Sequence, residues 1–436
     1  MAAKKKTKAP ARKKKTAPPA PAPHAHDGRE IVIRMYNVGF GDAFLVELPD
    51  GAGKRRMLFD CGSIEAAPGR PMSAVVADIV AATRDADGKS RIDVVVCTHR
   101  HKDHVSGFAN AAWASVEVKE VWMPWTEDPT DPEARRIRNA QSSLALALDS
   151  SLTLKMAGLA AARVPSDLSR SRGIVDNALM LTNEASMKTL HSGFAGSPVR
   201  RFLPLLKDGK PQRSFTTTAL PGVTVHVMGP QHSEDIIRDM DPPKGESYLR
   251  MSGLQLLQDG LPPSPFSQEF VQASYGGTPL QPAELEALQK AGALSDFAAA
   301  VALDKAVNGT SLMLMLEIAG AHLLFPGDAQ WGTWQAAMAD PEWREMMTLT
   351  EFYKIGHHGS HNATPVDFVE DLIPQNAWAM ASTCTRSIWP DIPKSDLLAA
   401  LVEKKKAKIA RSDQPVPAGH VFTAAGPGVI ETRIPL

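Results

Sequence analysis

The protein has 436 residues, of which 43 % are hydrophobic and 22 % are charged, which is enough apolar material for a large core with insertions. Lys and Arg number 48, as do Asp and Glu, but residues 1–30 hold nine basic and two acidic side chains, so this tail carries +7 and the remaining chain −7. An acidic body argues against a broad nucleic-acid-binding surface, since such surfaces need clustered Lys and Arg. The three widely spaced cysteines exclude a disulfide framework and a CxxC metal cluster, which predicts a cytoplasmic protein.

Residues 1–30 are rich in Lys, Ala and Pro, and we expect them to form a disordered, solubilising tail. A weak tether for polyanions is the alternative. After Lys15 the sequence reads TAPPAPAP rather than an apolar run, and no stretch of about 18 uncharged apolar residues follows elsewhere. The sequence therefore predicts neither a secretory signal nor a membrane span.

Short apolar strands begin after the tail. The runs IVIRMYNV, AFLVEL and RRMLFD are separated by Gly-rich and Asp-Gly turns, as in a β-meander. The apolar spacing of MSAVVADIVAATRDA predicts a helix, and the run IDVVVCTH predicts a buried strand. This order predicts a strand-helix-strand unit that ends in histidines.

Two regions interrupt the strand pattern. Between about residues 127 and 220, amphipathic helical spacing dominates and predicts a largely helical insertion. After a strand in TVHVMGP, residues 231–306 read as irregular, with a helix predicted from Pro282 to about Val307. We interpret residues 31–436 as one domain that carries both regions.

Strands and helices alternate again in the last third of the chain. SLMLMLEIAG and HLLFPGD predict a hairpin. The segments after the hairpin predict strand, helix, strand, helix and strand in the order FYKIGHH, TPVDFVEDLI, NAWAMAS, KSDLLAALVEKKKA and KIARSD.

A cluster of metal-binding side-chain types follows the strand IDVVVCTH. In CTHRHKDHVSG, His99, His101, Asp103 and His104 stand in a predicted strand-to-helix loop, where the first two histidines can point the same way. Imidazole and carboxylate together suit Zn, Mn or Fe, and four such groups within six residues are hard to explain by packing. The segment therefore predicts a transition-metal site.

The same run resembles the His-x-His-x-Asp-His motif of the metallo-β-lactamase superfamily. The resemblance covers about residues 31–127 and 300–420. It implies an α/β (α+β) fold, a four-layer αββα sandwich of two mixed β-sheets with helices outside and the metal centre at one rim. It also implies an acidic residue that supports the metal loop, here Asp60, and an aspartate that bridges two metals, here Asp328 in LLFPGDAQ.

Within the superfamily, the chain most resembles the soluble domain of ComEC-type DNA-uptake proteins and their stand-alone relatives. The resemblance lies in VGFGD, NGTSLMLML, PGDA, HHGS and KIARSD. It implies that His357 or His358 is a further ligand, and that Asn308 stands where other hydrolases of this fold have a histidine. An amide oxygen binds zinc more weakly than imidazole does, so Mn²⁺ becomes an alternative. No transmembrane channel is predicted, so a DNA-transport role does not carry over.

This ligand set implies a hydrolytic centre with two divalent metal ions, Zn or Mn. The ions would share Asp328 and a water, lowering the pKa of that water toward about 7 so that hydroxide attacks the substrate. The candidate catalytic carboxylates are Asp60, Asp103 and Asp328, of which Asp60 could orient a ligand or accept a proton. Ser360 and His361 are candidate substrate-binding residues, with a turn-forming serine and a surface histidine as the alternatives.

The resemblance favours a phosphodiester substrate and therefore a nuclease or phosphodiesterase. Nucleic acid is a candidate partner, although the acidic body counts against long nucleic acids. Hydrolysis of an ester, thioester or lactone is the alternative, since the same hydroxide could perform it. A third hypothesis is a catalytically weak protein whose helical insertion binds a partner.

Overall fold

The computed structural model describes residues 28–51, 53–157, 164, 166–178, 180–233, 296–360, 364–386, 389–416 and 421–436. The predicted tail up to residue 27, most of the stretch predicted to be irregular, and His361 lie outside this description. Among the helices of the described residues, none is long and apolar enough to cross a membrane.

An eight-stranded sheet forms one half of the fold. Its strand order is β16-β17-β1-β2-β3-β4-β5-β6, antiparallel from β16 to β3 and parallel from β3 to β6. The strands are β1 (Glu30–Tyr36), β2 (Phe44–Asp50), β3 (Gly53–Phe59), β4 (Arg91–Val96), β5 (Glu117–Pro124), β6 (Val199–Leu203), β16 (Phe422–Gly426) and β17 (Val429–Pro435).

A seven-stranded sheet forms the other half. Its order is β15-β14-β13-β12-β11-β10-β9, antiparallel from β9 to β12 and parallel from β12 to β15. The strands are β9 (Ser214–Thr217), β10 (Leu220–Gly229), β11 (Met313–Ile318), β12 (Ala321–Phe325), β13 (Thr350–Lys354), β14 (Trp378–Ala381) and β15 (Lys408–Arg411). A short hairpin, β7 (Leu206–Lys207) and β8 (Lys210–Pro211), stands apart from both sheets.

Helices connect the strands. The longest, α3, begins where the Asp131 carboxylate accepts the amides of Glu133 and Ala134, with proline in the first helical turn. The α-helices are α1 (Met72–Ala82), α2 (Lys102–Val105), α3 (Pro132–Met156), α4 (Ser166–Ala178), α5 (Met180–Lys188), residues 296–308, Trp331–Ala339, Pro341–Met347 and Ser395–Ala399. Shorter helical turns span Ser106–Ala109, Ala111–Ser115, Trp125–Glu127, Thr189–Gly193, Gly356–Gly359, Phe368–Leu372 and Ala400–Lys404.

Apolar side chains pack the two sheets face to face. Phe325 of β12 stacks on Phe59 of β3 with ring centroids 4.1 Å apart, and it meets the edge of Phe44 at 6.3 Å. Each sheet also buries its other face under helices, for example under Ile79 of α1 and under Trp334 of the helix Trp331–Ala339. The predicted four-layer αββα sandwich is therefore confirmed.

The parallel strands of both sheets end at one rim of the sandwich. Asp60 directly follows β3, and His104 lies in the loop and short helix after β4. Asp328 follows β12 after a short turn, and His358 follows β13. Loops at the carboxyl ends of parallel strands commonly form binding sites, and here both sheets contribute such loops.

The helical insertion is shorter than the predicted range of 127–220. Helical turns end at Gly193, and residues 199–217 instead supply β6 to the first sheet and β9 to the second. These strands read VRRFL and SFTT, so few of their positions are apolar and the period-two signal is weak. The predicted boundary near residue 220 is therefore too late. Of the helix predicted from Pro282, residues 296–308 are described and are helical.

The patterns that predict the other strands miss the C-terminal hairpin of β16 and β17. Strand β17 pairs with β1 along its whole length, from Glu30 opposite Pro435 to Tyr36 opposite Val429. The Gly-Pro-Gly sequence between the two strands is a turn signal that marks this hairpin.

Candidate metal centre

Backbone hydrogen bonds fix the loop that follows β4. The amide of Leu312 donates to the carbonyl of Thr98, and the amide of Asp42 donates to the carbonyl of Asp103, both at 2.9 Å. Gly41 makes the second contact possible, because a Cβ at this position would lie 2.6 Å from the Asp103 carbonyl oxygen. The VGFGD segment therefore packs directly against the metal loop.

The insertion also holds this loop. Arg100, between the first two histidines, donates to both carboxylate oxygens of Glu127 at 2.8 and 2.5 Å, and both side chains are buried. In α5, Nδ2 of Asn183 donates to the carbonyl of Arg100 at 2.9 Å. In α4, Oδ1 of Asn177 accepts the amide of Asp103 at 3.3 Å. The helices of the insertion thus help to position the candidate ligands.

A first group of candidate ligands consists of His99, His101 and Asp103. All three are buried, and each offers a ligand atom within 4.8 Å of the other two. Nε2 of His99 lies 3.1 Å from Nδ1 of His101. Two ring nitrogens that face each other so closely leave room for one proton or for a cation beside them.

A second group consists of Asp103, His104, Asp328 and His358. These side chains are also buried, and one ligand atom of each lies within 4.8 Å of the others. Nε2 of His104 is 3.1 Å from Oδ2 of Asp328, and Nε2 of His358 is 3.1 Å from Oδ2 of Asp103. Since Asp103 belongs to both groups, the two groups adjoin.

The two adjacent histidines of HHGS occupy different places. His358 belongs to the second group, whereas Nε2 of His357 lies 3.8 Å from Asp328, and its backbone amide donates to Oδ1 of that residue at 3.2 Å. Both histidines have left-handed φ angles, of 45° and 52°. Such backbone strain is typical of functional sites, and Asp60 shares it with a φ of 54°.

Asp60 lies behind the second group rather than within it. Its Oδ2 accepts Nδ1 of His104 at 2.8 Å, and its two oxygens accept the amide and the hydroxyl of Thr98 at 2.7 Å. Nδ1 of His358 is likewise held by the carbonyl of Ser382 at 2.9 Å. These contacts make the outer nitrogen a donor, so that Nε2 of each ring faces the group and is the nitrogen through which it would bind a metal ion. Ser382, at the end of the predicted strand NAWAMAS, is not among the predicted site residues.

Asn308 is buried, and its Oδ1 has no hydrogen-bond partner among the described residues. Its Nδ2 donates to Oδ2 of Asp304 at 3.2 Å. Oδ1 of Asp304 lies 3.8 Å from Nε2 of His101, which joins Asn308 to the first group. Asp304 is absent from the sequence prediction, because a single acidic residue on a helix has no local signal.

Lys354 and Asp42 are two further residues that the sequence prediction misses. The buried ammonium of Lys354 forms an ion pair with Oδ2 of Asp42 and lies 3.7 Å from Oδ1 of Asp328. Burial opposes the charge, but Asp42 and Asp328 outweigh it and raise the pKa of Lys354 above its ordinary range. Asp42 also belongs to a third group of His and Asp side chains, with Asp60 and His104. Because the ammonium of Lys354 already pairs with Asp42, we assign no metal ion to this group.

A cavity of about 200 Å³ opens beside the two groups. Asp103, His357 and Ser360 line it, and the Ser360 hydroxyl lies 2.9 Å from Nδ1 of His357. Ser360 therefore faces the space where a substrate would lie, as its candidate role requires. His361, the other candidate substrate-binding residue, lies outside the described residues.

No protein-family model matches the chain, and no curated protein matches its sequence. Among solved structures, the chain is similar to the metallo-beta-lactamase fold protein YhfI from Bacillus subtilis, with a TM-score of 0.35 and 6 % sequence identity. The match covers 89 % of this chain and 98 % of that protein. A similarity this low carries no functional argument, so function has to be inferred from the site itself.

Burial keeps the first group of histidines neutral. It lowers the pKa of His99 well below its ordinary value, and charge on His104 or His101 would lower it further. It lowers the pKa of His101 to about 4. A neutral imidazole is the form that binds metal, so these two rings are ready to bind a cation near neutral pH.

Carboxylates have the opposite effect on the second group of histidines. Burial disfavours the charge on His104, but Asp328, Asp103 and a third carboxylate, Asp60, outweigh burial and hold the pKa well above its ordinary value. The pKa of His358 is raised in the same way, against burial, chiefly by Asp42. The carboxylates therefore favour the protonated form of both rings when no other cation is near.

The described residues fit divalent metal ions. Two of the buried oxygen atoms that have no hydrogen-bond partner among those residues belong to candidate ligands: Oδ1 of Asp103 and Oδ1 of Asn308. Such atoms are costly unless something else satisfies them. Imidazole nitrogens with carboxylate and amide oxygens are the donors that Zn and Mn take. The arrangement therefore suits two adjacent metal ions.

Metal binding to the second group is expected to release protons at pH 7, and binding to the first group to release none. An ion must displace the protons that the carboxylates favour on His104 and His358, so the affinity of the second group for metal should rise with pH. Isothermal titration with Mn²⁺ in two buffers of different ionisation enthalpy measures the protons released. In His101→Ala, which removes a ligand from the first group only, Mn²⁺ binding should still release protons. Mn²⁺ binding without proton release in this variant would contradict the assignment.

Proposed function

We propose that the protein is a metal-dependent hydrolase that acts on a phosphodiester. The observation that carries this proposal is the pair of adjoining, buried groups of His and Asp side chains at the rim where parallel strands of both sheets end. Buried carboxylates and imidazoles without a cation are costly, so their convergence favours a functional centre over a structural one.

His99 and His101 of the first group would hold the first ion together with Asn308, and the second group, which includes Asp103, would hold the other. The resemblance implies that Asp328 would be shared between the two ions. When bound, two divalent ions supply a water of lowered pKa and stabilise the negative charge that develops on the substrate. Asp60 keeps the proton of His104 on Nδ1, so that Nε2 faces the site.

Two groups contact Oδ1 of Asp328. The Lys354 ammonium lies 3.7 Å from it, and the backbone amide of His357 donates to it at 3.2 Å. Its Oδ2 lies on the side of His104, 3.1 Å from Nε2. The two oxygens of Asp328 are therefore divided, one held by the protein and the other turned toward the site. This division supports the proposed role of Asp328 as the shared ligand.

The cavity beside the two groups favours a small anionic substrate. Three basic side chains, Arg170, Lys305 and Lys394, line it together with three aspartates, Asp103, Asp304 and Asp391, and with apolar side chains. Bound metal ions would offset the aspartates, so that the site as a whole would favour a phosphodiester, which carries a negative charge, over a neutral ester or lactone. A volume of about 200 Å³ admits one phosphoryl group with a small organic substituent rather than a nucleic-acid duplex.

Purified protein supplied with Mn²⁺ or Zn²⁺ is expected to release nitrophenol from bis(p-nitrophenyl) phosphate. A chelator should lower the rate by at least about 100-fold, because metal ions supply several kcal/mol of transition-state stabilisation. Re-addition of metal should restore the rate.

p-Nitrophenyl acetate and a simple lactone serve as the comparison substrates. We expect them to be hydrolysed far more slowly than the phosphodiester under the same metal conditions. Hydrolysis of the ester or lactone without the phosphodiester would overturn the substrate assignment. No metal-dependent hydrolysis and no bound metal would favour a binding protein instead.

A further inference from the structure

The outer ring nitrogens of the candidate histidine ligands follow one pattern with one exception. In three rings, Nδ1 lies within hydrogen-bond distance of an oxygen outside the site. These pairs are His99 with the Thr98 hydroxyl at 3.2 Å, His104 with Asp60 at 2.8 Å and His358 with the Ser382 carbonyl at 2.9 Å. The exception is His101, whose Nδ1 faces His99 and whose Nε2 is buried without a hydrogen-bond partner among the described residues.

One carboxylate faces this unpartnered ring nitrogen of His101. Oδ1 of Asp304, on helix 296–308, lies 3.8 Å from Nε2 of His101. The Asp304 side chain is 20 % exposed and lines the cavity. Its other oxygen, Oδ2, accepts Nδ2 of Asn308 at 3.2 Å, one helical turn further along.

We propose that Asp304 is a positioning residue that orients both His101 and Asn308 toward the first metal ion. This inference rests on the proposed metal-dependent function. Metal-binding histidines almost always donate their other ring N–H to a carboxylate or carbonyl, and Asp304 is the carboxylate that faces Nε2 of His101. At 3.8 Å the two atoms are not yet hydrogen-bonded, and we expect the bond to form when the ion is bound. With Nε2–H directed at Asp304, Nδ1 of His101 is the acceptor that faces His99 and the ion.

The same carboxylate decides which end of the Asn308 amide faces the site. An ionised carboxylate only accepts hydrogen bonds, so it draws the NH₂ group of Asn308 to its own side. The amide oxygen is thereby turned away from Asp304, and this Oδ1 is the buried atom that lacks a hydrogen-bond partner. Asp304 therefore explains how an asparagine can serve where related hydrolases have a histidine.

A purely stabilising role does not account for this position. Oδ1 of Asp304 is 3.8 Å from Nε2 of His101, which is beyond hydrogen-bond distance, and the one hydrogen bond that the described residues show for this side chain is the bond to Asn308. Removing the carboxylate should therefore change the stability of the metal-free protein little. The affinity for metal, by contrast, should fall.

Titration with Mn²⁺ of the full chain and of Asp304→Ala tests the proposal. We expect the wild-type protein to bind two ions, and we expect Asp304→Ala to weaken one of the two binding events by about 10- to 100-fold while sparing the other. Asp304→Asn should be intermediate, since its amide can accept from His101 or Asn308 but cannot accept from both through two oxygens. Asp391→Asn, an exposed aspartate on the same cavity, is the matched control and should bind like wild type.

Thermal unfolding of the metal-free variants separates positioning from structure. An unchanged or raised melting temperature with one weakened site supports the proposal. Wild-type affinity at both sites, or a lowered melting temperature with both sites weakened equally, would overturn it. If one of these two results were found while the wild-type protein still bound Mn²⁺ and hydrolysed the phosphodiester, the proposed function would stand and only the role of Asp304 would fail. If the wild-type protein neither bound Mn²⁺ nor hydrolysed the phosphodiester, both proposals would fail.

Discussion

Asp328→Ala is expected to abolish hydrolysis, lowering kcat/KM by at least about 10³-fold, or about 4 kcal/mol of transition-state stabilisation. The Asp328 carboxylate is buried 3.1 Å from Nε2 of His104, and it is the residue that the two ions would share. Its loss should therefore impair both sites together. The variant's steady-state rate on bis(p-nitrophenyl) phosphate and its metal content by elemental analysis measure the effect.

Two controls accompany Asp328→Ala. Asp328→Asn keeps the shape but not the charge, and we expect it to lose most of the activity as well. Asp208→Asn makes the same chemical change in the exposed turn between β7 and β8, at a left-handed φ of 52° that asparagine tolerates. It should behave like wild type. An Asp328→Ala protein that is folded and retains full metal content and activity would show that Asp328 is not a shared ligand.

Lys354→Met is expected to lower the free energy of unfolding of the metal-free protein by about 3–5 kcal/mol. The Lys354 ammonium pairs with the buried carboxylate of Asp42, neither of whose oxygens has a hydrogen-bond partner among the described residues. Removing the ammonium leaves that charge buried without its closest counter-ion. Denaturation with urea, followed by circular dichroism, measures the difference.

The pH dependence of the Lys354→Met effect has a definite sign. Because the pKa of Lys354 is raised in the folded protein, its contribution is fully present below about pH 10, the pKa of an unfolded lysine, and is lost as the pH rises further. The wild-type and variant curves should therefore run parallel from pH 7 to 9. Lys404→Met removes a half-exposed partner of Glu370 and should cost about 1 kcal/mol or less. Equal losses in both variants would contradict the buried ion pair.

The parts of the site that the sequence predicts are those encoded within a few neighbouring residues. One loop carries four of the candidate ligands, His99, His101, Asp103 and His104, and their spacing can be recognised from the sequence alone. Asp328 is predicted only through the resemblance, which implies a metal-bridging aspartate at the end of a later strand, here the second strand of the predicted hairpin. The resemblance likewise implies the four-layer fold, and the alternating apolar strands and helices are compatible with it.

The choice between His357 and His358 could not be made from the sequence. Both follow the same strand, and their side-chain directions depend on two consecutive left-handed backbone conformations that no local propensity favours. The structure places His358 within the second group and His357 on the cavity wall. Assignment of His358 as a ligand remains a prediction until a metal ion is located.

The sequence also could not predict residues whose role depends on contacts between distant parts of the chain. Lys354 reads as one lysine in a strand, and Asp42 reads as one turn aspartate, until the fold brings them together. Asp304 gains meaning only through His101, which reaches it from another part of the chain. The edge strands β6 and β9 were missed because edge positions tolerate polar residues, which weakens the alternating pattern.

The most direct test of the metal centre is anomalous diffraction from crystals of the protein grown with Mn²⁺. Two anomalous peaks are predicted, one against the first group of ligands and one against the second, with the Asp328 carboxylate between them. Crystals that show no peak at either group, or peaks only at residues outside both, would contradict the central claim that these distant side chains converge to bind metal ions.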